Sequence, residues 1–274
     1  MSSNLTKRII TAIVLAAVFL TVLFATNTEI AVGFVSVVLL IGAWEWAGFA
    51  GWQSAGARLI YTALLALLMT GLFLSPDLDA MLLPVLGIAC IWWFIAFLML
   101  LFAKGKPSAF LTGLCGAVVL VPAWLAGVRI LCSGENGSLL FLMLFALVAA
   151  ADIGAYFTGK SIGKHKLIPR VSPGKTWEGF FGGMIAAVLV AMAGTKLFGW
   201  EPLIAAMLGL CIGMVSVVGD LTVSFFKRSA GLKDSGRILP GHGGVLDRID
   251  GVLAALPVYA ALLSALNLLD AAII

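Results

Sequence analysis

Apolar runs long enough to cross a bilayer recur along almost the whole of this 274-residue chain, and no other feature restricts its fold as strongly. About 20 predominantly apolar residues in helical geometry span the hydrocarbon core. Runs of that kind occupy roughly 9–26, 30–50, 59–75, 80–103, 110–128, 139–158, 179–198, 203–226 and 249–269. Only 11% of the residues are charged and 62% are hydrophobic, where soluble proteins carry about 25% charged residues. A soluble domain is excluded. The sequence predicts an all-α polytopic integral membrane protein with about nine transmembrane helices. The first run follows Lys7 and Arg8 but has no clear small-residue cleavage site after it, so it reads as an uncleaved helix and not as a signal peptide.

The placement of charge tests the span count. Lys and Arg accumulate in cytoplasmic loops. With the N-terminus inside and spans alternating, 15 of the 17 basic residues fall on the inner side, and only Arg129 and Lys196 fall outside. Glu29, Asp77, Asp79, Glu135, Glu201 and Asp270 collect on the outer side. The expected topology is therefore N-terminus cytoplasmic and C-terminus outside. Two inner segments are long, basic and rich in glycine and proline: 159–178 and 227–248. The chain reads as one membrane domain (1–274), with N-terminal helices in 1–135 and a catalytic half in 136–274. Four scattered cysteines and two histidines suggest neither a disulfide framework nor a zinc site.

Glu45, Asp152 and Asp220 are carboxylates within apparent spans, where a charge is costly and usually faces an interior or a watered cavity. Asp152 and Asp220 fall near the inner ends of their spans, beside the two long loops. On a helix, Asp220, Ser224 and Lys227 or Arg228 share one face. Asp247 and Asp250 are three apart at the start of the last span. The segment that contains them, "KRSAGLKDSGRILPGHGGVLDRID" (227–250), carries eight charged residues and five glycines among its 24. Carboxylates among many cations suit Mg²⁺ with phosphates neutralised by Lys and Arg, the requirement of a phosphoryl- or nucleotidyl-transfer site. A basic stop-transfer loop would also be glycine-rich, but here acids and bases alternate. An ion-coupled transporter would instead place carboxylates near the midplane, within inverted repeats.

The segment "RVSPGKTWEG" (170–179) resembles a P-loop only superficially. That pattern requires glycine where Pro169 stands and a preceding strand, which is not expected here. What remains is a phosphate-binding cluster of Ser172, Lys175 and Thr176, followed by Trp177 as an interfacial anchor. Glu45, in "AWEWAGFAG", either joins the site or pairs with a loop cation. Tyr156 reads as an interface marker.

From Ser224 to Asp250 the chain resembles the phosphatidate cytidylyltransferases, or CDP-diglyceride synthases. The pattern is S-x-x-K-R, four residues, K-D, then P-x-H-G-G, two residues, D-R-x-D, and every fixed position is present. The "SPGKTWEG" segment and Asp152 extend the likeness, whereas the N-terminal half matches only in hydropathy and "AWEW". The resemblance implies cytidylyl transfer from CTP to phosphatidic acid, giving CDP-diacylglycerol and pyrophosphate, with Mg²⁺ required and a second cation left open. It also implies a homodimer among membrane lipids in a bacterial cytoplasmic (inner) membrane, with the active site facing the cytoplasm. No nucleic-acid partner is expected. On that basis Asp220 and Asp247 lead as metal ligands, followed by Asp250 and Asp152. Lys227, Arg228, Lys233, Arg237, Arg248 and Lys175 would bind phosphates. His242 would contact a phosphate or shape the turn at Gly243 and Gly244, and Asp234 would orient a lysine or meet the nucleotide.

Overall fold

The computed structural model describes residues 2–102 and 105–269, without side-chain detail at 2–5, 7, 8 and 79. Of the charges used above to assign topology, Lys104 and Asp270 lie outside the described residues, as do the side chains of Lys7, Arg8 and Asp79. The chain is a helical bundle: α1 (Ser2–Ala25), α2 (Thr28–Phe49), α3 (Ala55–Phe73), α4 (Leu78–Phe102), α5 (Ala109–Leu131), α6 (Gly137–Ile162), α7 (Trp177–Ala191), α8 (Gly194–Leu197), α9 (Pro202–Ser229) and α10 (Leu246–Ala265). Among the described residues, eight helices are long and apolar enough to cross a membrane, and α1 contributes a shorter apolar stretch, Ile9–Ala25.

Local chemistry fixes five of the ten helix starts. Asn27, Ser54, Ser108 and Thr176 each turn a side-chain oxygen toward a first-turn N–H of the helix that follows, satisfying a donor that has no intrahelical partner. Pro202 opens α9, where its missing N–H costs nothing. The end of α9 is a Schellman turn: Gly231, with φ +74°, donates to Arg228 O at 3.0 Å, and Leu232 donates to Lys227 O at 2.9 Å. That turn throws the chain off the helix directly after Lys227 and Arg228.

The core forms around α5, whose described residues from Gly116 to Leu131 are almost all buried against α2, α6 and α10. Three polar side chains of this core are paired across helices. Trp46 Nε1 donates to Thr112 O, Tyr61 Oη to Gly113 O, and Trp124 Nε1 to Ser36 Oγ, each at 2.8 Å. The outward faces carry large apolar side chains instead, including Leu67, Phe94 and Leu189. Apolar patches of this extent are foreign to water-soluble monomers and suit contact with lipid.

One expectation is met with a local break, and one is corrected. The span expected at 179–198 is present as Trp177–Leu197, interrupted between the end of α7 at Ala191 and the start of α8 at Gly194, where the Trp200 ring lies so close that a β-carbon would collide with it. The segment 159–178 is not free of strands. The last turn of α6 continues through Gly159–Ile162, and an antiparallel hairpin follows, β1 (Lys166–Ile168) with β2 (Ser172–Thr176), in the register Lys166 with Thr176 and Ile168 with Ser172. The "GKT" residues lie in β2 itself and run straight into α7, so the P-loop order of strand, loop and helix is still not met. Glu178 in the first turn of α7 holds the hairpin, accepting from the N–H of Lys164 at 3.1 Å and meeting His165 Nδ1 at 2.6 Å.

Candidate active site

Helix α9 supplies the first element. Asp220 and Ser224 are one turn apart, and Ser224 Oγ donates to Asp220 Oδ1 at 3.2 Å. The other carboxylate oxygen, Oδ2, meets Lys175 Nζ from β2 at 2.6 Å. Lys175 can reach it because α6 and α7 pack without an intervening layer of side chains. Gly179 and Gly183 are one turn apart on α7, and a β-carbon would stand 2.8 Å from Ala155 O at the first and 2.5 Å from Ala151 O at the second. Small residues at this spacing let two membrane helices approach backbone to backbone, carrying β2 over α9. Between these elements lies a cavity of about 450 Å³ lined by Asp152, Tyr156, Lys160, Ser172, Lys175 and Thr176. Thr176 is buried through its capping bond to Gly179 N.

Asp152 and Asp250 complete this region. Asp152 interacts electrostatically with Lys175, Asp220 and Arg248. Asp250 interacts with Asp220, Lys227 and Lys175, and its Oδ1 accepts from Gly251 N at 2.8 Å. Three carboxylates from α6, α9 and α10 thus share the field of one lysine.

A second centre lies around Asp247. Its Oδ1 meets Lys227 Nζ at 2.6 Å, and the two side chains are 7% and 10% exposed. Its Oδ2 accepts from Ser235 N at 2.8 Å and Gly244 N at 3.0 Å. Both oxygens are therefore engaged in shaping the loop. The loop turns back on itself where Leu239 N donates to Gly243 O at 3.0 Å, with Gly241 and Gly243 at φ +76° and +84°. Those left-handed conformations require glycine or nearly so. His242 is set inside this turn, and its buried Nδ1 has no hydrogen-bond partner. Glu45 of α2 is 2% exposed and accepts from Ser235 Oγ, Val245 N and Leu246 N.

The structure thus brings Lys175, Asp220, Ser224, Asp152 and Asp250 together, and joins Lys227, Asp247, Gly243 and Gly244 in the loop beside them. Arg228, Lys233, Asp234 and Arg237 stand exposed to solvent. Sequence reasoning left Glu45 undecided and did not single out Ser235. The signal for Glu45 was a carboxylate in an apolar run, but its partners lie as far as 201 residues away. Beside Arg248, an apolar groove of about 420 Å³ runs between α1, α2, α6 and α10, lined by Phe19, Val38, Phe145, Ile249 and Val252 among others. Arg248 is the charged member of its described lining.

Among the described residues, no group of three or more His, Cys, Asp or Glu is arranged to hold a metal by itself. Mg²⁺ ordinarily takes one or two carboxylates and completes its shell with water and substrate phosphates. Asp220 and Asp250, flanked by Asp152, offer hard oxygen donors on that scale.

A profile described as the cytidylyltransferase family matches residues 6–266. Phosphatidate cytidylyltransferase of Pseudomonas aeruginosa is 43% identical over 267 residues, covering 94% of this chain and 97% of that protein. The protein of the same name from Haemophilus influenzae is 36% identical over 286 residues, covering 93% and 97%. That of Brucella suis is 39% identical over 263 residues, covering 92% and 91%.

Proposed function

The chain belongs to the cytidylyltransferase family, and from that premise we propose that it transfers the cytidylyl group of CTP to phosphatidic acid, yielding CDP-diacylglycerol and pyrophosphate. The observation that carries this reading onto the structure is the position of Arg248. It interacts with Asp152 of the polar cluster and also lines the apolar groove. A reaction between a soluble nucleotide and a lipid phosphate needs such a junction, with one substrate in a watered cavity and the other's acyl chain in an apolar cleft.

An oxygen of the phosphatidic acid phosphate attacks the α-phosphorus of CTP. The new P–O bond forms as the bond to the β-phosphate oxygen breaks, and pyrophosphate leaves with that electron pair. The nucleophile is already anionic, so no strong general base is needed. Catalysis rests on alignment and on neutralising charge. Arg248 holds the lipid phosphate at the end of the groove. Lys175, released from Asp220 by an incoming anion, binds nucleotide phosphates with Ser172. The unpartnered His242 Nδ1 and the cations Lys233 and Arg237 bind the rest of the triphosphate. Asp220 and Asp250 would hold Mg²⁺, with Asp152 beside them. Bound there, the ion would supply positive charge to offset the charge growing on the leaving group. The crowding of basic residues at the loop end supports a cytoplasmic position for that end, where CTP is available, and the bacterial origin of the relatives is consistent with a cytoplasmic membrane.

The deciding experiment gives purified protein in detergent phosphatidic acid, Mg²⁺ and CTP labelled at either the α- or the γ-phosphorus. The expected result is α-label in the lipid with release of pyrophosphate. Transfer of γ-label would identify a lipid kinase, and transfer of neither would defeat the reading.

A further inference from the structure

Helix α10 opens without a cap of its own. Its N-cap residue is Val245, which has no side-chain acceptor, although unsatisfied first-turn N–H groups need one. Glu45, from a different helix, fills that role. Its Oε1 accepts from Val245 N at 3.0 Å, and its Oε2 accepts from Leu246 N at 2.9 Å. A carboxylate at a helix N-terminus is favoured both by these bonds and by the helix dipole. The same Oε2 accepts from Ser235 Oγ at 2.7 Å. Ser235 and Leu246 stand at the two ends of the glycine-rich turn, so one carboxylate ties both ends together.

Asp247 grips the same stretch from the other side, through Ser235 N and Gly244 N. The fit leaves no slack: a β-carbon at Gly244 would fall 2.5 Å from both Glu45 oxygens. Three residues that face substrate in the reading above hang from this closure: Arg237 and His242 lie within it, and Arg248 is in the first turn of the helix that it caps.

We propose that Glu45 is a positioning residue for cytidylyl transfer, closing segment 235–246 so that Arg237, His242 and Arg248 stand in register with the Lys175–Asp220 pair. It acts through the loop and touches neither substrate. The inference rests on the cytidylyl-transfer reading. Because near-attack geometry is sensitive to displacements of about 1 Å, loss of the closure costs on the order of 100-fold in rate.

The test is Glu45→Gln, which keeps size but turns an NH₂ donor toward groups that are themselves donors. Glu45→Asp keeps both acceptor oxygens on a shorter arm. Trp124→Phe is the control, removing a buried interhelical hydrogen bond to Ser36 on helices α5 and α2 without touching the loop. Two readouts are taken: kcat/KM for CTP well below each variant's melting midpoint, and the rate of trypsin cleavage after the exposed Arg237. Glu45→Gln is expected to lose about 100-fold in kcat/KM and to be cut faster at Arg237. Glu45→Asp should recover part of both, and Trp124→Phe should change neither. Native kcat/KM in Glu45→Gln, native cleavage at Arg237, or equal activity loss in Trp124→Phe at matched stability would each overturn the proposal. If the wild-type protein moves no α-label into lipid, the functional reading fails, while the cleavage rates still decide whether Glu45 closes the loop.

Discussion

Lys227 illustrates how far residue spacing can be read and where it stops. The i, i+4 relation correctly joins Ser224 to Asp220. The next residue on that face, Lys227, instead turns its Nζ to Asp247 at 2.6 Å, because the chain reverses after the Schellman turn and brings α10 alongside. That contact depends on the path of the loop, which no periodicity encodes. The Lys175–Asp220 pair was hidden for the same reason, its members lying in separate loop and helix segments. Both Lys227 and Asp247 are almost fully enclosed, and removing one partner of such a pair strands the other charge away from water. Asp247→Asn is therefore expected to destabilise the protein by about 3–5 kcal/mol, measured as a thermal melt in detergent. Adding Lys227→Met should restore part of that loss, since an apolar replacement needs no partner. A double variant that melts at the sum of the two single losses would show that the pair is not coupled.

At the scale of elements, helix existence was legible because bilayer-length apolar runs have few other outcomes. Helix starts at Asn27, Ser54 and Ser108 carry capping residues that the sequence displays openly. The hairpin β1–β2 was not legible: "KLI" and "SPGKT" are too short and too polar to show a two-residue alternation. Its stability comes from elsewhere, through Glu178 and the close packing of α6 on α7. Gly183 is one of the tight points of that packing, where a β-carbon would stand 2.5 Å from the backbone oxygen of Ala151. Gly183→Leu should force the helices apart, at a cost of about 1–3 kcal/mol or more, and carry Lys175 away from Asp220. Gly71 has nothing within 4 Å of its β-carbon position, so Gly71→Leu should leave melting and turnover unchanged. Similar melting curves for the two variants would refute this account of the α6–α7 contact.

For the molecule as a whole, the order of spans could be read but not which helices are neighbours. Helices that are apolar on every side bear no stripe to mark the core. Helix α10 packs on α4 and α5 as well as on α9, and α2 reaches the active loop through Glu45. Breaking the chain between Cys132 and Gly137 should therefore give two fragments that co-purify when expressed together. The 136–274 fragment alone should bind no CTP productively, having its catalytic signature but not Glu45. Cytidylyl transfer by that fragment alone would show that the loop keeps its shape unaided.

The long sequence separation within that closure has a consequence for biosynthesis. Glu45 emerges from the ribosome 201 residues before Leu246, an interval of about 10–40 s at 5–20 residues per second. Throughout that time the carboxylate has nothing to hold, and the loop has no anchor until the last helix arrives. A nascent chain stalled before α10 is thus inserted in the membrane but catalytically silent, and it draws nothing from the nucleotide pool. On the proposed role of Glu45, activity begins only once α10 has joined the bundle.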